Sequence, residues 1–192
     1  MRTKSLLTIA LAAAGMMYGA SVFATAPTTG PFGSGTITFT GTIINSPCDI
    51  KTGDITVPFG QISYRKLNED NHTTDSIGFT IPLENCGFDT DDQNANKKLL
   101  DKATVIFSSD HGFDTGTNSF NNGGAADAAQ NVGVQILEND NTTVITPDTQ
   151  STSHQLHDGA NNLNFNARLI AVGAAATTGS INTQVIYTLK YL

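Results

Sequence analysis

The sequence predicts an all-β protein with the two-layered architecture of a β-sandwich. Apolar and polar residues alternate in several short runs, and clusters of Gly, Asn and Asp separate these runs. Alternation with a period of two is typical of a half-buried strand, and no stretch carries the apolar stripe of an amphipathic helix. About seven or eight short strands separated by turns favour a sandwich within one domain.

The first alternating run covers residues 36–43. Ile37, Phe39 and Ile43 share one face with Gly41, while threonines occupy the other face. This run therefore predicts a strand with one apolar side. Further strands are expected, in chain order, at residues 54–59, 77–83, 103–107, 132–136, 163–169 and 181–191, with residues 142–145 pairing with residues 132–136.

The last alternating run reaches the end of the sequence. Val185, Tyr187, Leu189 and Tyr191 share one of its faces. Terminal residues of a domain usually fray, so an apolar alternation here indicates a strand that pairs with another strand. The polar stretches at residues 89–96, 110–130 and 150–162 are expected to be turns or loops, and the last two are expected to be surface loops that tolerate substitution.

The N-terminus has the three parts of a secretory signal peptide. Two basic residues, Arg2 and Lys4, precede an uncharged apolar run that ends in small residues. This pattern predicts a signal peptide over residues 1–24, cleaved after Ala24 or, as a second choice, after Ala26. The alternative is a buried N-terminal helix.

The charge balance excludes one broad class of function. The chain has a net charge of -7, and loss of Arg2 and Lys4 from its 10 basic residues leaves eight against 17 acidic ones. A protein with a net negative charge does not bind nucleic acid non-specifically, because the phosphates of the nucleic acid are also negative. No later apolar run approaches the ~18 residues that a membrane-spanning helix requires.

The only cysteines are Cys48 and Cys86. In an exported protein an isolated pair predicts a disulfide. The closed loop of about 38 residues is worth roughly 4 kcal/mol in the chain-entropy model. A metal site or a reactive thiol is the alternative, but neither cysteine has a His or Cys partner nearby in sequence.

The sequence contains no convincing catalytic or metal-binding constellation. His154 and His157 lack a third ligand at a spacing suited to zinc. Asp89, Asp91 and Asp92 suggest calcium, but the Gly and Glu that an EF-hand loop requires are absent from its sixth and twelfth positions. We therefore predict no catalytic residue, no metal and no cofactor, and the protein is not expected to be an enzyme.

Several short motifs occur in an order that resembles the structural subunits of chaperone–usher pili, the type 1 fimbrial protein family. Each motif is weak alone, but together they cover essentially residues 25–192. They are the alternation of residues 37–43 with its glycine, Cys48, the Leu-Glu-Asn-Cys of residues 83–86, the Asn-Val-Gly-Val-Gln-Ile of residues 131–136, the Phe-Asn-Ala of residues 165–167, Gly179 and Tyr191.

The resemblance implies an incomplete immunoglobulin-like β-sandwich over residues 46–192 that lacks its last strand. A donor strand from the N-terminal extension of a neighbouring subunit, residues 25–45, would complete it. The resemblance assigns Ile37, Phe39, Gly41 and Ile43 to the donor strand, and Gly179, Val185, Tyr187, Leu189 and Tyr191 to the acceptor groove, which a chaperone also binds.

The partners implied by the resemblance are neighbouring pilin subunits, a periplasmic chaperone and an outer-membrane usher. The chain would pass through the periplasm to a cell-surface fimbria that supports cell adhesion, and no host receptor is specified. Its length leaves no room for an extra receptor-binding domain, which favours a shaft subunit. The alternatives are a secreted monomeric β-sandwich that binds carbohydrate or protein, with residues 36–43 as its own first strand, and a metal-bearing sandwich enzyme.

Overall fold

The computed structural model describes residues 35–51 and 53–192. The predicted signal peptide lies outside this part of the chain. The described residues form eleven strands and one 3-10 turn, which confirms the all-β prediction. The strands are β1 (Asp49–Ile50), β2 (Ile77–Cys86), β3 (Thr90–Asp91), β4 (Asn94–Lys98), β5 (Lys102–Ser108), β6 (Phe113–Asp114), β7 (Ser119–Asn121), β8 (Val132–Leu137), β9 (His154–Gln155), β10 (Gly159–Ala171) and β11 (Ile186–Tyr191), and the 3-10 turn is Tyr64–Leu67.

The strands form two main sheets and one hairpin. The larger sheet has six strands in the order β1-β2-β10-β8-β7-β6, and the smaller has three in the order β11-β5-β9. Strands β3 and β4 form the separate hairpin. All named pairs are antiparallel, and the long pairing of β10 with β2 places Phe165 opposite Phe79.

The two sheets pack face to face around an aromatic core. Phe107 of β5 meets Phe165 of β10 edge-to-face, with ring centroids 5.2 Å apart and an interplanar angle of 87°. The ring centroids of Phe79, in β2, and Phe165 are 5.8 Å apart. Aromatic pairs favour such tilted and edge-on geometries. The alternating apolar residues of β2, β5, β8 and β10 therefore form a sandwich core, as predicted.

A disulfide joins Cys48, which precedes β1, to Cys86 at the end of β2, with an S–S distance of 2.08 Å. Both cysteines are buried. The backbone N–H of Gly87 donates to the carbonyl oxygen of Pro47 across the same junction at 3.0 Å. The cysteine pairing predicted from the secretory context is thus formed, and it joins the chain entering β1 to the end of β2 within the larger sheet.

Three predicted strands differ in the structure. Residues 36–43 and 54–59 form no strand in the described chain, and β11 begins at Ile186 instead of residue 181. An alternating pattern shows that one face is apolar, whereas a ladder also needs a neighbouring strand to accept its hydrogen bonds. Residues 36–43 and 54–59 carry the pattern but form no ladder within the described residues. In residues 181–185, the carbonyl of Asn182 accepts a hydrogen bond from the N–H of Gly123 at 3.0 Å, but no regular ladder forms there.

Two predicted surface loops contain buried structure. Residues 110–130 include β6 and β7, where Ser119 and Phe120 are fully buried, and residues 150–162 include β9 and the buried Leu156. The expectation that these stretches are surface loops is therefore wrong at these positions, and their predicted tolerance of substitution stays a prediction. Residues 142–145 do return against β8, because the N–H of Ile145 donates to the carbonyl of Ile136 at 2.9 Å.

The two candidate metal ligands lie in different surroundings. The His154 ring packs edge-on against Phe165 at 5.2 Å between centroids, and His157 is exposed. No group of three or more potential ligands occurs in the part of the chain that the structure describes. Within the same residues, no helix has the length and apolar character needed to cross a bilayer.

Candidate strand-acceptor groove

Strand β11 lies at the edge of the smaller sheet. It pairs with β5 along one side, from Ile186 opposite Ser108 to Tyr191 opposite Ala103, and has no ladder on its other side within the described residues. Its side chains alternate between exposed and half-buried. The half-buried ones face the core, and they are Tyr187, Leu189 and Tyr191, together with Val185 just before the strand. The predicted acceptor residues of the last run therefore share one inward face.

The segment at residues 53–59 forms the opposite wall of a groove along β11. Ile55, Val57 and Phe59 are its half-buried positions and pack against the core, while the residues between them are exposed. The space between the two walls is about 700 Å³. Its floor consists of apolar side chains from both sheets, namely Phe79, Phe107, Val134, Ile136 and Ala167.

A second hollow of about 610 Å³ adjoins the first, and both are lined by Val57, Phe59 and Ile181. Gly179 lies on its wall. A β-carbon at this position would come within 2.4 Å of the backbone nitrogen of Ala129, so any larger residue would displace that backbone. Glycine is thus sterically required beside this adjoining hollow, and the predicted role of Gly179 in accepting a strand stays a prediction.

The groove has the features needed to bind an extended chain. Its edge strand offers backbone N–H and C=O groups for a ladder, and its floor offers apolar contacts for every second side chain. Burial raises the pKa of the Tyr187 hydroxyl, and the negative charge of Asp54 raises it further. This hydroxyl therefore remains neutral at physiological pH, which suits an apolar binding surface.

The predicted donor residues lie in the segment that precedes the compact unit of residues 44–192. Ile37, Phe39 and Ile43 are 79%, 89% and 101% exposed, respectively. A β-carbon on Gly41 would meet no atom within 4 Å. Three large apolar side chains are therefore presented to solvent at alternate positions, an unusual exposure for such residues.

Sequence reasoning identified one wall of the groove and missed the other. It predicted a strand at residues 54–59 but did not assign Ile55, Val57 or Phe59 to the groove. Their alternation next to the first cysteine is a signal that could have identified them. Two further features were not predicted: the hydroxyls of Thr183 and Tyr191 are buried without a hydrogen-bond partner in the described structure.

Comparisons with known proteins agree with this architecture. The family model described as "Fimbrial protein" matches residues 37–192. The chain is 32% identical to the type-1 fimbrial protein A chain of Escherichia coli K12 over the full length of both, and 32% identical to fimbrial subunit type 1 of Salmonella typhimurium over 92% of each.

Solved structures show the same fold. A structure described as a chaperone–usher pilus is similar over 87% of this chain and all of that chain, with a TM-score of 0.66 and 24% identity. The P pilus rod subunit PapA is similar over 77% of this chain and all of that chain, with a TM-score of 0.60 and 23% identity. The prediction of an incomplete immunoglobulin-like sandwich is therefore confirmed.

The family also decides between the functions that the sequence left open. Its members are structural proteins of fimbriae and not enzymes, as predicted, and a monomeric carbohydrate- or protein-binding module is not favoured. The family match covers most of the chain, and relatives at 30% identity or more align over its full length. The chain thus belongs to the fimbrial protein family and is a structural subunit of a cell-surface fimbria.

Proposed function

We propose that this subunit polymerises head-to-tail by donor-strand complementation. An N-terminal segment of one copy, containing residues 37–43, adds a strand beside β11 of the next copy and fills its groove. The observation that carries this proposal is the open edge of β11 above an apolar floor. The same chain presents an apolar strand-like segment that has no ladder of its own in the described structure.

The chemistry of the two surfaces is complementary. An added strand gains main-chain hydrogen bonds to β11, and its alternate side chains enter pockets in the floor, which is the general mode of β-augmentation. Ile37, Phe39 and Ile43 would be the inserted side chains. Gly41 lacks a side chain and would allow close approach where the groove is shallow. Because each copy gives one strand and receives another, the contact is heterologous, and it propagates into an open fibre when the rotation between copies does not close.

The order of segments follows from this role. Residues 1–24 would be a signal peptide, residues 25–45 the donor extension and residues 46–192 the pilin domain. An exposed edge strand beside an apolar groove is prone to aggregation, so the subunit would need cover before assembly. A periplasmic chaperone would cover the groove before assembly, and an outer-membrane usher would receive the subunit for assembly. The similarity to a chaperone–usher pilus supports both partners. The fibre would support adhesion from the cell surface.

An unboiled denaturing gel of fibres taken from the cell surface tests the proposal. Fibres joined by inserted strands should resist detergent and give a ladder, which boiling reduces to one band. A single monomer band in both samples would contradict the proposal and favour a self-contained domain.

A pair of variants makes this test specific to the donor strand. Phe39→Asp places a charge on the apolar face and should abolish the ladder, because a buried unpaired carboxylate is strongly unfavourable. Thr40→Asp places the same charge on the opposite face and should leave the ladder close to that of the unmodified chain. A normal ladder from Phe39→Asp would exclude insertion of that face.

A further inference from the structure

The turn between β4 and β5 exposes two adjacent leucines. Leu99 and Leu100 are 42% and 51% exposed. Leu100 also has a φ of 57°, in the left-handed region of the backbone. Seven non-glycine residues of the described chain have positive φ, and six of them are Asn or Asp. Those side chains tolerate this conformation, whereas Leu does so at a cost. Leu100 is therefore a strained choice for a turn that Asn or Gly would suit better.

Such strain is retained where a side chain is needed for function. Leu99 and Leu100 line a cleft of about 1260 Å³, together with Phe88, Leu189 and the 46% exposed Leu192. The cleft thus combines a strained aliphatic turn with further apolar side chains from other elements. Covering these side chains with a partner would remove apolar surface from water, which is favourable.

Chain connectivity indicates which partner reaches this cleft. Asn45, Ser46 and Pro47 also line it. Only one residue, Ile44, separates Asn45 from Ile43, the last residue of the proposed donor segment. Two residues of extended chain span about 7 Å at most. Whichever copy receives Ile43 in its groove must therefore lie close to the cleft.

The charge of the cleft is also suited to a second copy. Four lysines and two aspartates line it, although the chain as a whole has a net charge of -7. Lys102 and Lys190 are exposed and form no ion pair within the described residues. Lys97 and Lys98 pair with Asp91 and Asp158, so the two remaining lysines balance the two aspartates of the lining. A cleft close to neutral on an acidic protein repels another acidic copy less than most of the surface does.

We propose that Leu99 and Leu100 form a body-to-body contact with the copy that takes up residues 37–43. The contact is additional to the inserted strand and rests on the proposed function. It would slow dissociation of the fibre, because most effects of interface side chains appear in the dissociation rate.

Leu100→Gly separates this role from folding. Glycine adopts positive φ without strain, so the variant should reach the periplasm at the level of the unmodified chain. Its fibres should fall apart about tenfold faster in hot detergent, because an apolar side chain is lost from the contact. Leu100→Met keeps a large apolar side chain and should restore the original rate. Asn118→Gly makes the same backbone change at another positive φ (51°), away from the cleft, and should have no effect.

The outcomes distinguish this contact from the proposed function. An unchanged dissociation rate for Leu100→Gly, with a normal ladder, overturns the contact alone. Loss of periplasmic Leu100→Gly before assembly also overturns it, since the leucine would then serve the fold of the single subunit. Absence of any ladder from the unmodified chain overturns strand insertion itself, and the contact with it.

Discussion

A β-carbon at Gly179 would lie 2.6 Å from the carbonyl oxygen of Asp127. The same carbonyl accepts a hydrogen bond from the N–H of Ser180 at 2.9 Å, and the Ser180 carbonyl accepts one from the N–H of Ala129 at 3.0 Å. Two backbone segments are therefore held together at the end of the groove, and only glycine fits between them.

We expect Gly179→Ala to destabilise this end of the groove. Forcing one methyl group into a filled space typically costs about 1–3 kcal/mol. The groove mouth should widen or shift, and the amount of polymer per subunit should fall. Gly124→Ala is the matched control, because a β-carbon there would meet no atom within 4 Å. Quantitative gels of surface fibres check both variants, and equal polymer from the two would show that the close approach is unimportant.

Unlike Gly179→Ala, Gly41→Leu should leave the fold of the subunit intact and impair only its donor segment. A β-carbon at Gly41 would meet no atom within 4 Å, so the single chain has room for the larger residue. In a groove that is shallow at this point, the leucine would block insertion. The variant should fail to polymerise alone.

The acceptor function provides an internal control for Gly41→Leu. Its own groove is unchanged, so it should still accept a strand from unmodified subunits and terminate their fibres. Mixed expression should therefore give shorter fibres of otherwise normal stability. Normal fibres from the variant alone would exclude a close approach at this glycine.

The sequence predicted the long strands well, because each carries its own apolar face. Strands β2, β5, β8 and β10 contribute Ile81, Val105, Ile136 and Phe165 to one core, and each lies in a run predicted from alternation. Strand β7 was missed because its signal is a single apolar residue, Phe120, within a polar stretch. A lone phenylalanine does not reveal a period, although Phe120 is completely buried in the core.

The groove was only half predictable for a related reason. Alternation at residues 185–191 identified the inward face of β11. The opposite wall of the groove depends on the path that residues 53–59 take past the core. That path is set by contacts distant in sequence, such as the disulfide after Pro47 and the packing of Phe59 against the buried cluster that contains Val132 and Leu169. Periodicity contains no information about such contacts.

Replacing Cys48 and Cys86 together with Ala should weaken the subunit before assembly. The disulfide closes a loop with a sequence separation of 38 residues. Closing a loop of this length contributes about 4 kcal/mol by the chain-entropy model, a large share of the ~5–15 kcal/mol typical of a domain. The periplasmic level of the double variant should therefore be much reduced.

Reducing agent supplies the control for the disulfide. It should lower the urea midpoint of the unmodified subunit towards that of the double variant and leave the double variant unchanged. An equal midpoint for the oxidised unmodified subunit and the double variant would contradict the stabilising role.

Acid should weaken the turn after β8 through Asp140. Its carboxylate accepts hydrogen bonds from the Thr143 hydroxyl at 2.6 Å and from the backbone N–H groups of Thr143 and Thr142 at 2.9 and 2.8 Å. These bonds favour the charged form and lower the pKa of Asp140 from 3.8 to about 2. Because the pKa is lower in the folded state, the unfolded chain binds the proton first as the pH falls.

The stabilisation by Asp140 is therefore complete above pH 3.8 and is lost as the pH falls through about 2. Asp140→Asn keeps an acceptor but cannot titrate, so its urea midpoint should lie below that of the unmodified subunit by a constant amount above pH 3.8. The difference should then shrink at lower pH. Thr143→Val removes the hydroxyl donor and should raise the pKa of Asp140 towards its ordinary value, as measured by NMR titration of the carboxyl carbon. An unchanged Asp140 pKa in Thr143→Val would show that the hydroxyl does not hold the charge.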